Sequence, residues 1–228
     1  MPDFFRFPHT PHLAWLGEAS PRDDKVLLPD DASALLAGTV TVEEKLDGAN
    51  LGFSLASDGH LRVQNRGQYL DAPFTGQFVR LGPWLALHEN VLFDALTPGL
   101  IAFGEWCAAR HSLDYSALPD WWLVFDVYDR AEARFWSVRR RNEWARAAGF
   151  HVVPALSQGQ TNVHELISLL DSQRSRYRDG PLEGVVVRHD SERFSTQRAK
   201  LVRADFTQHI TQHWRQRAIE WNRLASPV

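Results

Sequence analysis

The 228-residue chain contains one cysteine and three lysines, and it lacks a long hydrophobic run. Because Cys107 is alone, an internal disulfide framework of the kind that staples small secreted domains is excluded. No stretch approaches the roughly 20 apolar residues that cross a bilayer, and the N terminus does not read as a secretory signal. These absences favour a reducing compartment and no membrane span, so we expect a cytoplasmic protein.

Lysine is scarce in a chain that is rich in arginine. The three lysines are Lys25, Lys45 and Lys200, whereas 22 of the 25 basic residues are arginine. Arginine cannot replace lysine as a nucleophile because its guanidinium stays protonated. The formal net charge of −3 excludes a generally basic surface, so any nucleic-acid contact must be local. Lys45 and Lys200 are therefore the lysines with candidate roles, although chance survival under an arginine-rich composition is the alternative.

The most informative stretch is residues 43–50, Glu-Glu-Lys-Leu-Asp-Gly-Ala-Asn. It lies between two runs typical of β-strands, residues 39–42 and 51–55. The amine of Lys45 is a nucleophile only when unprotonated, so a site must lower its pKa from about 10.4 by burial or by a nearby cation. Taken alone, the stretch also fits an ordinary strand end followed by an Asp-Gly turn.

Alternating and apolar runs predict more strands than helices. Residues 50–57 and 60–65 alternate around Asp58-Gly59, which is a strong hairpin signal. Two buried strands, 100–107 and 121–128, each carry one acid, Glu105 and Asp126, which predicts either a site or a structural ion pair. The remaining strand candidates are 182–188 and 196–203. Helical patterns cover 75–96, a segment capped by Ser137 that ends before Gly149, a segment capped by Asn162 that ends near Asp171, and 205–224.

Because strands outnumber helices and do not alternate with them regularly, the pattern predicts an α+β fold with largely antiparallel sheets. We expect a single domain, 1–228, with a closing C-terminal helix, 205–228, and an irregular N-terminal segment, 1–38, that contains a short helix at 31–37. Residues 139–141, three arginines, are interpreted as a solvated basic face, with an RNA contact as the alternative. The segment 172–228 has a local excess of +5, compatible with a phosphate-binding face or with an ordinary solvated surface.

Several further motifs follow the Lys45 motif in a fixed order. They are Arg66, Phe103-Gly104-Glu105, Phe125-Asp126-Val127, Glu183-Gly184-Val185-Val186-Val187 and Arg198-Ala199-Lys200-Leu201-Val202. Together they resemble the motifs of the covalent nucleotidyltransferases, which comprise ATP-dependent DNA and RNA ligases and mRNA capping enzymes. The resemblance is strongest to RNA ligases of the bacteriophage double-strand-RNA-ligase type and their stand-alone bacterial relatives. It implies an adenylyltransferase domain of antiparallel sheets flanked by helices, without an OB-fold domain.

The resemblance also implies roles for individual residues. Lys45 would attack the α-phosphorus of ATP and carry AMP, assisted by Lys200 and by Mg²⁺ or Mn²⁺ at Glu183. The nucleotide would be bound by Glu44 at the base, Phe125 stacked on adenine, Glu105 at the ribose, and Arg66, Lys200 and Arg198 at the phosphates. Arg198 stands where the family usually has a lysine, which leaves its contact open. Asn50 and Asp47 would serve the later joining of RNA ends, and for Asp47 a local role is the alternative.

The activity implied is ATP-dependent joining of RNA 5′-phosphate and 3′-hydroxyl ends, in RNA repair. RNA is the expected partner, and a partner protein for substrate recognition is left open. Two alternatives remain at this level. One is a DNA ligase or another lysine nucleotidyltransferase, and the other is a non-catalytic RNA-binding module with the same fold.

Overall fold

The computed structural model describes residues 4–18, 26–208 and 218–226. Its strands are β1 (Val40–Lys45), β2 (Ala49–Leu55), β3 (Leu61–Gln64), β4 (Tyr69–Leu70), β5 (Leu100–Trp106), β6 (Trp122–Asp129), β7 (Arg134–Phe135), β8 (Ala155–Gly159), β9 (Gly184–Asp190) and β10 (Ser195–Val202). Its helices are α1 (Pro29–Leu36), α2 (Leu81–Ala95), α3 (Val138–Ala147), α4 (Val163–Ser172) and α5 (Ala204–Gln208). None of the helices in these ranges is long and apolar enough to cross a membrane.

The strands form two sheets, and the chain passes from one sheet to the other directly after Lys45. One sheet has the order β10-β9-β1-β8 and the other the order β4-β3-β2-β5-β6-β7. All strand pairs within them are antiparallel, so the predicted α+β class is confirmed. Residues 46–48 belong to neither sheet and connect β1 to β2. Lys45 therefore lies at the junction of the two sheets.

Local sequence signals account for most of the element boundaries. The hairpin of β2 and β3 turns at Asp58-Gly59, where Gly59 has a φ of +83° that suits glycine. The Ser137 hydroxyl accepts a hydrogen bond from the Arg140 N–H, and the Asn162 side chain accepts one from the Glu165 N–H. These two caps begin α3 and α4 as predicted. The helix predicted from residue 75 begins at Leu81 instead, because residues 76–78 form a separate 3₁₀ turn.

Each sheet packs its own apolar core. Aromatic side chains fill the core beneath the six-stranded sheet, where Phe53, Trp84 and Trp122 are at most 4% exposed. Aliphatic side chains fill the core of the four-stranded sheet, in which Val185 packs with Leu170 of α4. Burial of such side chains stabilises each sheet by about 1.5–3 kcal/mol per residue.

The C-terminal end differs from the predicted closing helix. Helix α5 is described over Ala204–Gln208, and residues 209–217, which carry part of the predicted helix, lie outside the described part of the chain. Residues 218–226 are not helical, so the prediction is wrong for that stretch. They run along residues 107–118, with bridges from Trp221 to Ala109 and from Leu224 to Leu118. We refer to residues 218–226 as the C-terminal strap and to residues 107–118 as the clamp loop.

A buried ionic network joins the two sheets. Glu43 on β1 accepts hydrogen bonds from Arg188 on β9 at 2.7 Å and from Arg141 on α3 at 2.5 Å. Asp126 on β6, in the other sheet, accepts hydrogen bonds from Arg188 and from Arg198, both at 2.8 Å. Burying charges is tolerated only when each is paired and hydrogen-bonded. The network therefore holds the sheets in one relative position.

Arg141 corrects the prediction that residues 139–141 form a solvated basic face. Its side chain is 1% exposed, and besides Glu43 it reaches the Phe125 carbonyl at 2.6 Å and the Asn142 side chain at 2.7 Å. Arg139 remains exposed and pairs with Glu143 on its own helix. The difference arises because the third arginine of the run falls on the core-facing side of α3.

Replacing Arg141 by alanine should destabilise the protein strongly. The change leaves the Glu43 carboxylate buried with one counter-charge fewer. The free energy of unfolding should fall by about 3–5 kcal/mol as a result. The matched control is Arg139→Ala, which removes an exposed pair and should cost at most about 1 kcal/mol. Urea denaturation of both variants measures the difference, and equal destabilisation would contradict a structural role for the network.

Candidate active site

A cavity of about 500 Å³ opens between the two sheets, next to Lys45. Its walls combine β1, β2, β5, β6, β9 and β10 with residues of the N-terminal segment. Seven of the ten residues predicted for the site line this cavity: Glu44, Lys45, Asn50, Arg66, Glu105, Phe125 and Lys200. The structure therefore brings together side chains that are spread over more than 150 positions of the sequence.

Lys45 forms an ion pair with Glu183, an eighth predicted residue. Lys45 is the last residue of β1 and lies opposite Gly184 in the register with β9, which places Glu183 beside it. The Lys45 Nζ lies 2.5 Å from Oε1 of Glu183. The Glu183 side chain is buried, whereas 27% of the Lys45 side chain is accessible. The amine is thus fixed by one carboxylate while it stays reachable from the cavity.

The charges around Lys45 keep its amine protonated. Burial alone would lower the pKa of Lys45, but the carboxylates of Glu183 and Glu105 outweigh it and raise the pKa above its ordinary value. The lowered pKa expected from the sequence is therefore not produced by the protein's own charges. Additional positive charge near these carboxylates would lower the pKa of the amine.

The two glutamates have perturbed protonation as well. Burial raises the pKa of Glu105 to about 7 and that of Glu183 to about 8, and in both cases the charge of Lys45 acts in the opposite direction. Glu105 also accepts a hydrogen bond from the Gly48 N–H at 3.0 Å. Both carboxyl groups consequently exchange protons near neutral pH, as is typical of functional sites.

The turn after Lys45 is held by two successive backbone hydrogen bonds. The Asp47 N–H donates to the Tyr115 hydroxyl at 2.8 Å, and the Gly48 N–H donates to Glu105. A side chain at Gly48 would place its Cβ 2.6 Å from the Trp106 carbonyl oxygen, so the close approach requires glycine. These contacts fix the backbone directly after Lys45.

Asp47 is directed away from the cavity. Its Oδ2 accepts hydrogen bonds from the backbone N–H groups of Ser112 at 2.7 Å and Leu113 at 2.8 Å. These bonds attach the clamp loop to residues 46–48, which we call the Lys45 turn. Asp47 does not line the cavity. The placement favours a local structural role over the predicted contact with RNA ends.

Glu44 lines the cavity, but its carboxylate is already engaged. One oxygen accepts a hydrogen bond from the Ser175 hydroxyl at 2.5 Å and the other accepts one from the Arg176 N–H at 3.0 Å. Burial raises the pKa of Glu44, and these hydrogen bonds partly oppose the shift. Glu44 therefore anchors the loop before β9, and the predicted contact with a nucleotide base stays a prediction.

Several polar atoms at the cavity are buried without a hydrogen-bond partner. They are Nδ2 and Oδ1 of Asn50, Nε of Arg66 and Oε2 of Glu183, and they make up four of the seven such atoms in the described part of the chain. Leaving a buried polar group unsatisfied costs about 1–3 kcal/mol. Their concentration around Lys45 indicates a site whose hydrogen bonds are completed by a ligand or by water.

Arg198, like Asp47 and Glu183, is a predicted residue that is not part of the cavity lining. Its guanidinium pairs with Asp126 and lies over the rings of Phe7 at 4.8 Å and Phe135 at 4.2 Å. Burial lowers its pKa to about 10, against the opposing charge of Asp126. Arg198 packs against Phe7 and Phe135 and does not line the cavity, and its contact with a phosphate stays a prediction.

The N-terminal segment contributes a wall that the sequence did not predict. Phe7, His9 and Thr10 line the cavity, and the ring of Phe7 meets that of Phe125 edge-on at 5.3 Å. The segment is anchored where the Lys200 N–H donates to the Pro11 carbonyl at 2.8 Å and the Leu13 N–H donates to the Lys200 carbonyl at 2.7 Å. No local signal in residues 8–13 predicts their pairing with β10.

Further lining residues were also missed by sequence reasoning. Asn65, Gln77, Val153, Val186 and Arg188 line the cavity. Of these five residues, only Arg188 stands out in the sequence, because it is a charged residue at the end of an apolar strand run. No group of three or more His, Cys, Asp and Glu side chains suited to a metal ion occurs in ranges 4–18, 26–208 and 218–226. A metal at this site would therefore depend on Glu183 together with ligand oxygens and water.

Comparisons with known proteins give one family and several similar folds. A family model described as RNA ligase matches residues 38–202. The fold resembles a solved variant of the Naegleria gruberi RNA ligase without ligand, with a TM-score of 0.65 at 16% identity over 93% of this chain and 60% of that one. A variant of the same ligase with ATP and Mn gives 0.64 at 18% identity, covering 90% of this chain and 64% of that one.

Two other solved structures extend the likeness. An archaeal ATP-dependent RNA ligase has a TM-score of 0.59 at 22% identity, covering 87% of this chain and 48% of that one. A putative ATP-dependent DNA ligase from Aquifex aeolicus has a TM-score of 0.55 at 23% identity, covering 88% and 50%. No curated protein sequence matches the chain. The chain spans 60–64% of the length of the two Naegleria structures, so the likeness concerns part of each ligase.

Replacing Glu183 by glutamine should increase the chemical reactivity of Lys45 in metal-free protein. The change removes the negative charge that raises the pKa of the amine. At pH 8 the rate of acetylation should rise about tenfold for each unit by which the pKa falls. Mass spectrometry of the peptide that contains Lys45 measures the rate. The exposed Glu89→Gln serves as control, and a rate equal to that of the control would contradict the ion pair.

Proposed function

This chain belongs to the RNA ligase family, and on that premise we propose that it is an ATP-dependent RNA ligase acting through a covalent lysyl-AMP. The observation that carries the proposal is Lys45 at the junction of the two sheets, paired with Glu183 and open to the cavity. In the first step the amine forms a P–N bond to the α-phosphorus of ATP, and the P–O bond to pyrophosphate breaks. A 5′-phosphate oxygen then attacks the phosphorus of the lysyl-AMP, the P–N bond breaks, and AMP is transferred to the RNA end. A 3′-hydroxyl attacks the phosphorus of that activated end, which joins the RNA ends and releases AMP.

The residues around Lys45 would prepare the first step. Lys45 must lose its proton, which becomes favourable when positive charge offsets Glu183 and Glu105. A divalent ion, Mg²⁺ or Mn²⁺, fits beside Glu183, because Oε2 of that residue is buried without a partner and such ions are bound by one or two carboxylates with phosphate oxygens and water. When bound, the ion supplies this positive charge. Arg66 and Lys200 on the cavity wall would hold the phosphates and stabilise their negative charge.

The nucleoside would lie between the two sheets. The Phe125 ring offers a flat apolar surface for a base, and its backbone is fixed by hydrogen bonds from Arg141 at 2.6 Å and Arg188 at 3.0 Å. Glu105, across the β2–β5 pairing from Asn50, would accept hydrogen bonds from ribose hydroxyls. The free amide of Asn50 would then face the end of the polynucleotide rather than the base.

The substrate proposed is RNA with a 5′-phosphate and a 3′-hydroxyl end, sealed in the cytoplasm as a repair reaction. A partner protein that presents these ends is compatible with the proposal, since the chain matches only part of each related ligase. DNA ligation is the second candidate, because the fold also resembles the putative Aquifex DNA ligase. Sealing of matched RNA and DNA nicks separates the two.

Lys45→Ala should abolish covalent labelling with AMP. Wild-type protein incubated with ATP and Mg²⁺ is expected to gain the mass of one AMP, detected by intact-mass spectrometry, whereas incubation with GTP should give no adduct. Lys45→Arg is the matched variant, because it keeps a positive charge without an amine that can lose its proton. An AMP adduct on either variant, or no adduct on wild-type protein freed of bound nucleotide, would overturn the lysyl-AMP assignment.

Asn50→Ala should separate nucleotide transfer from end joining. Its two unpartnered amide atoms are available to the polynucleotide, so AMP labelling of Lys45 should persist while sealing of nicked RNA slows about tenfold, the equivalent of one lost hydrogen bond. The exposed Asn90→Ala is the control. Gel assays of nick sealing measure the rate, and a parallel loss of labelling and sealing would contradict the proposed division of roles.

A further inference from the structure

The clamp loop lies between the Lys45 turn and the C-terminal strap. On one side it is attached to Asp47, whose backbone N–H reaches the Tyr115 hydroxyl and whose carboxylate receives two backbone N–H groups of the loop. On the other side it is attached to the C-terminal strap through backbone hydrogen bonds, among them Asn222 N–H to the Ala108 carbonyl at 3.0 Å and Arg223 N–H to the Tyr115 carbonyl at 2.9 Å. Tyr115 is thus bonded on both sides.

Asn222 is the buried side chain of the strap. It is 3% exposed, and its Oδ1 accepts a hydrogen bond from the Tyr115 N–H at 2.8 Å. Its Nδ2 donates to the Cys107 carbonyl at 2.8 Å and to the Ala109 carbonyl at 3.3 Å. The Asn222 amide therefore links the start of the clamp loop, at Cys107 and Ala109, to Tyr115 near its end. An apolar side chain at this position could make none of these bonds.

Tyr115 transmits this constraint to the residues next to Lys45. Its side chain is 1% exposed and packs in one cluster with Leu46, Cys107 and Leu118. Leu46 directly follows Lys45, and the hydroxyl of Tyr115 accepts the N–H of the residue after Leu46. Since residues 46–48 belong to neither sheet, the Tyr115 contacts replace the ladder bonds that would otherwise fix the backbone beyond Lys45.

We propose that Asn222 is a positioning residue for Lys45, acting through Tyr115 and the Lys45 turn. The inference rests on the proposed function, in which the amine must lie in line with the α-phosphorus. Transfer rates depend steeply on such placement, and a displacement of about 1 Å far from the reacting atoms can slow a reaction about 100-fold. The C-terminal strap is then part of the catalytic framework, although it follows Lys45 by more than 170 positions.

A double-mutant cycle on AMP transfer tests this inference. Asn222→Ala and Tyr115→Phe are each expected to slow single-turnover transfer at saturating ATP by roughly 10- to 100-fold. The ATP concentration for half-maximal rate should change by less than about twofold, since the nucleotide contacts remain. The variant with both changes should be no slower than the slower single variant, because both act along one path.

Controls separate positioning from folding. Arg223→Ala changes an exposed side chain of the same strap and should transfer AMP at the wild-type rate. Asn222→Asp keeps the acceptor for the Tyr115 N–H and should recover part of the rate lost in Asn222→Ala. Rates are normalised to the folded fraction measured by thermal denaturation. If Asn222→Ala does not fold, Asn222→Asp takes its place in the cycle.

The outcomes are distinguishable. A wild-type rate of AMP transfer in Tyr115→Phe would overturn the positioning role. So would a double variant in which the fold-losses of the two single variants multiply. Unchanged rates per folded molecule combined with lowered thermal stability would also overturn it and assign Asn222 to folding alone. Absence of a Lys45-dependent adduct in wild-type protein would instead contradict the proposed function.

Discussion

The arrangement of the site depends on a single buried guanidinium. Arg188 donates at once to Glu43 in one sheet and to Asp126 in the other. Each of these ions loses several kcal/mol of hydration on burial, which only close and well-oriented pairing offsets. A small sliding of the sheets would therefore break pairs that cannot be replaced by water. The separation of the sheets, and with it the width of the cavity, is fixed electrostatically as well as by apolar packing.

The same strand that anchors this network also carries the lysine. Glu43 and Lys45 are two positions apart on β1, so the network and the amine share one stretch of backbone. Between them, Glu44 is bonded to the loop that precedes β9. Three successive side chains thus have three tasks: joining the sheets, holding a loop and presenting an amine. The density of charge in residues 43–45 reflects these separate attachments rather than a solvated acidic surface.

Local signals predicted the parts of the molecule that depend on near neighbours. The Asp58-Gly59 hairpin, the Asn162 cap and the strand that ends at Lys45 all follow from short-range chemistry. The burial of Arg141 did not, because its partner Glu43 lies 98 positions away and an arginine run usually faces water. The C-terminal strap was mistaken for a helix for the same reason, since bonds to the clamp loop more than 100 positions earlier override its helical spacing.

The site is electrically and geometrically incomplete. Two carboxylates keep the amine of Lys45 charged, while Asn50, Arg66 and Glu183 keep buried atoms without partners. The ion pair favours the folded state, because it raises the pKa of Lys45. Each unpartnered atom costs stability, and a purely structural cavity would have apolar side chains in place of these groups. Under the proposed function, a nucleotide with a divalent ion would bring positive charge beside Glu183, acceptors for Arg66 and bulk that fills the space against Phe125. The stability that these unpartnered groups cost the folded protein would then be recovered on binding, which accounts for their position beside Lys45.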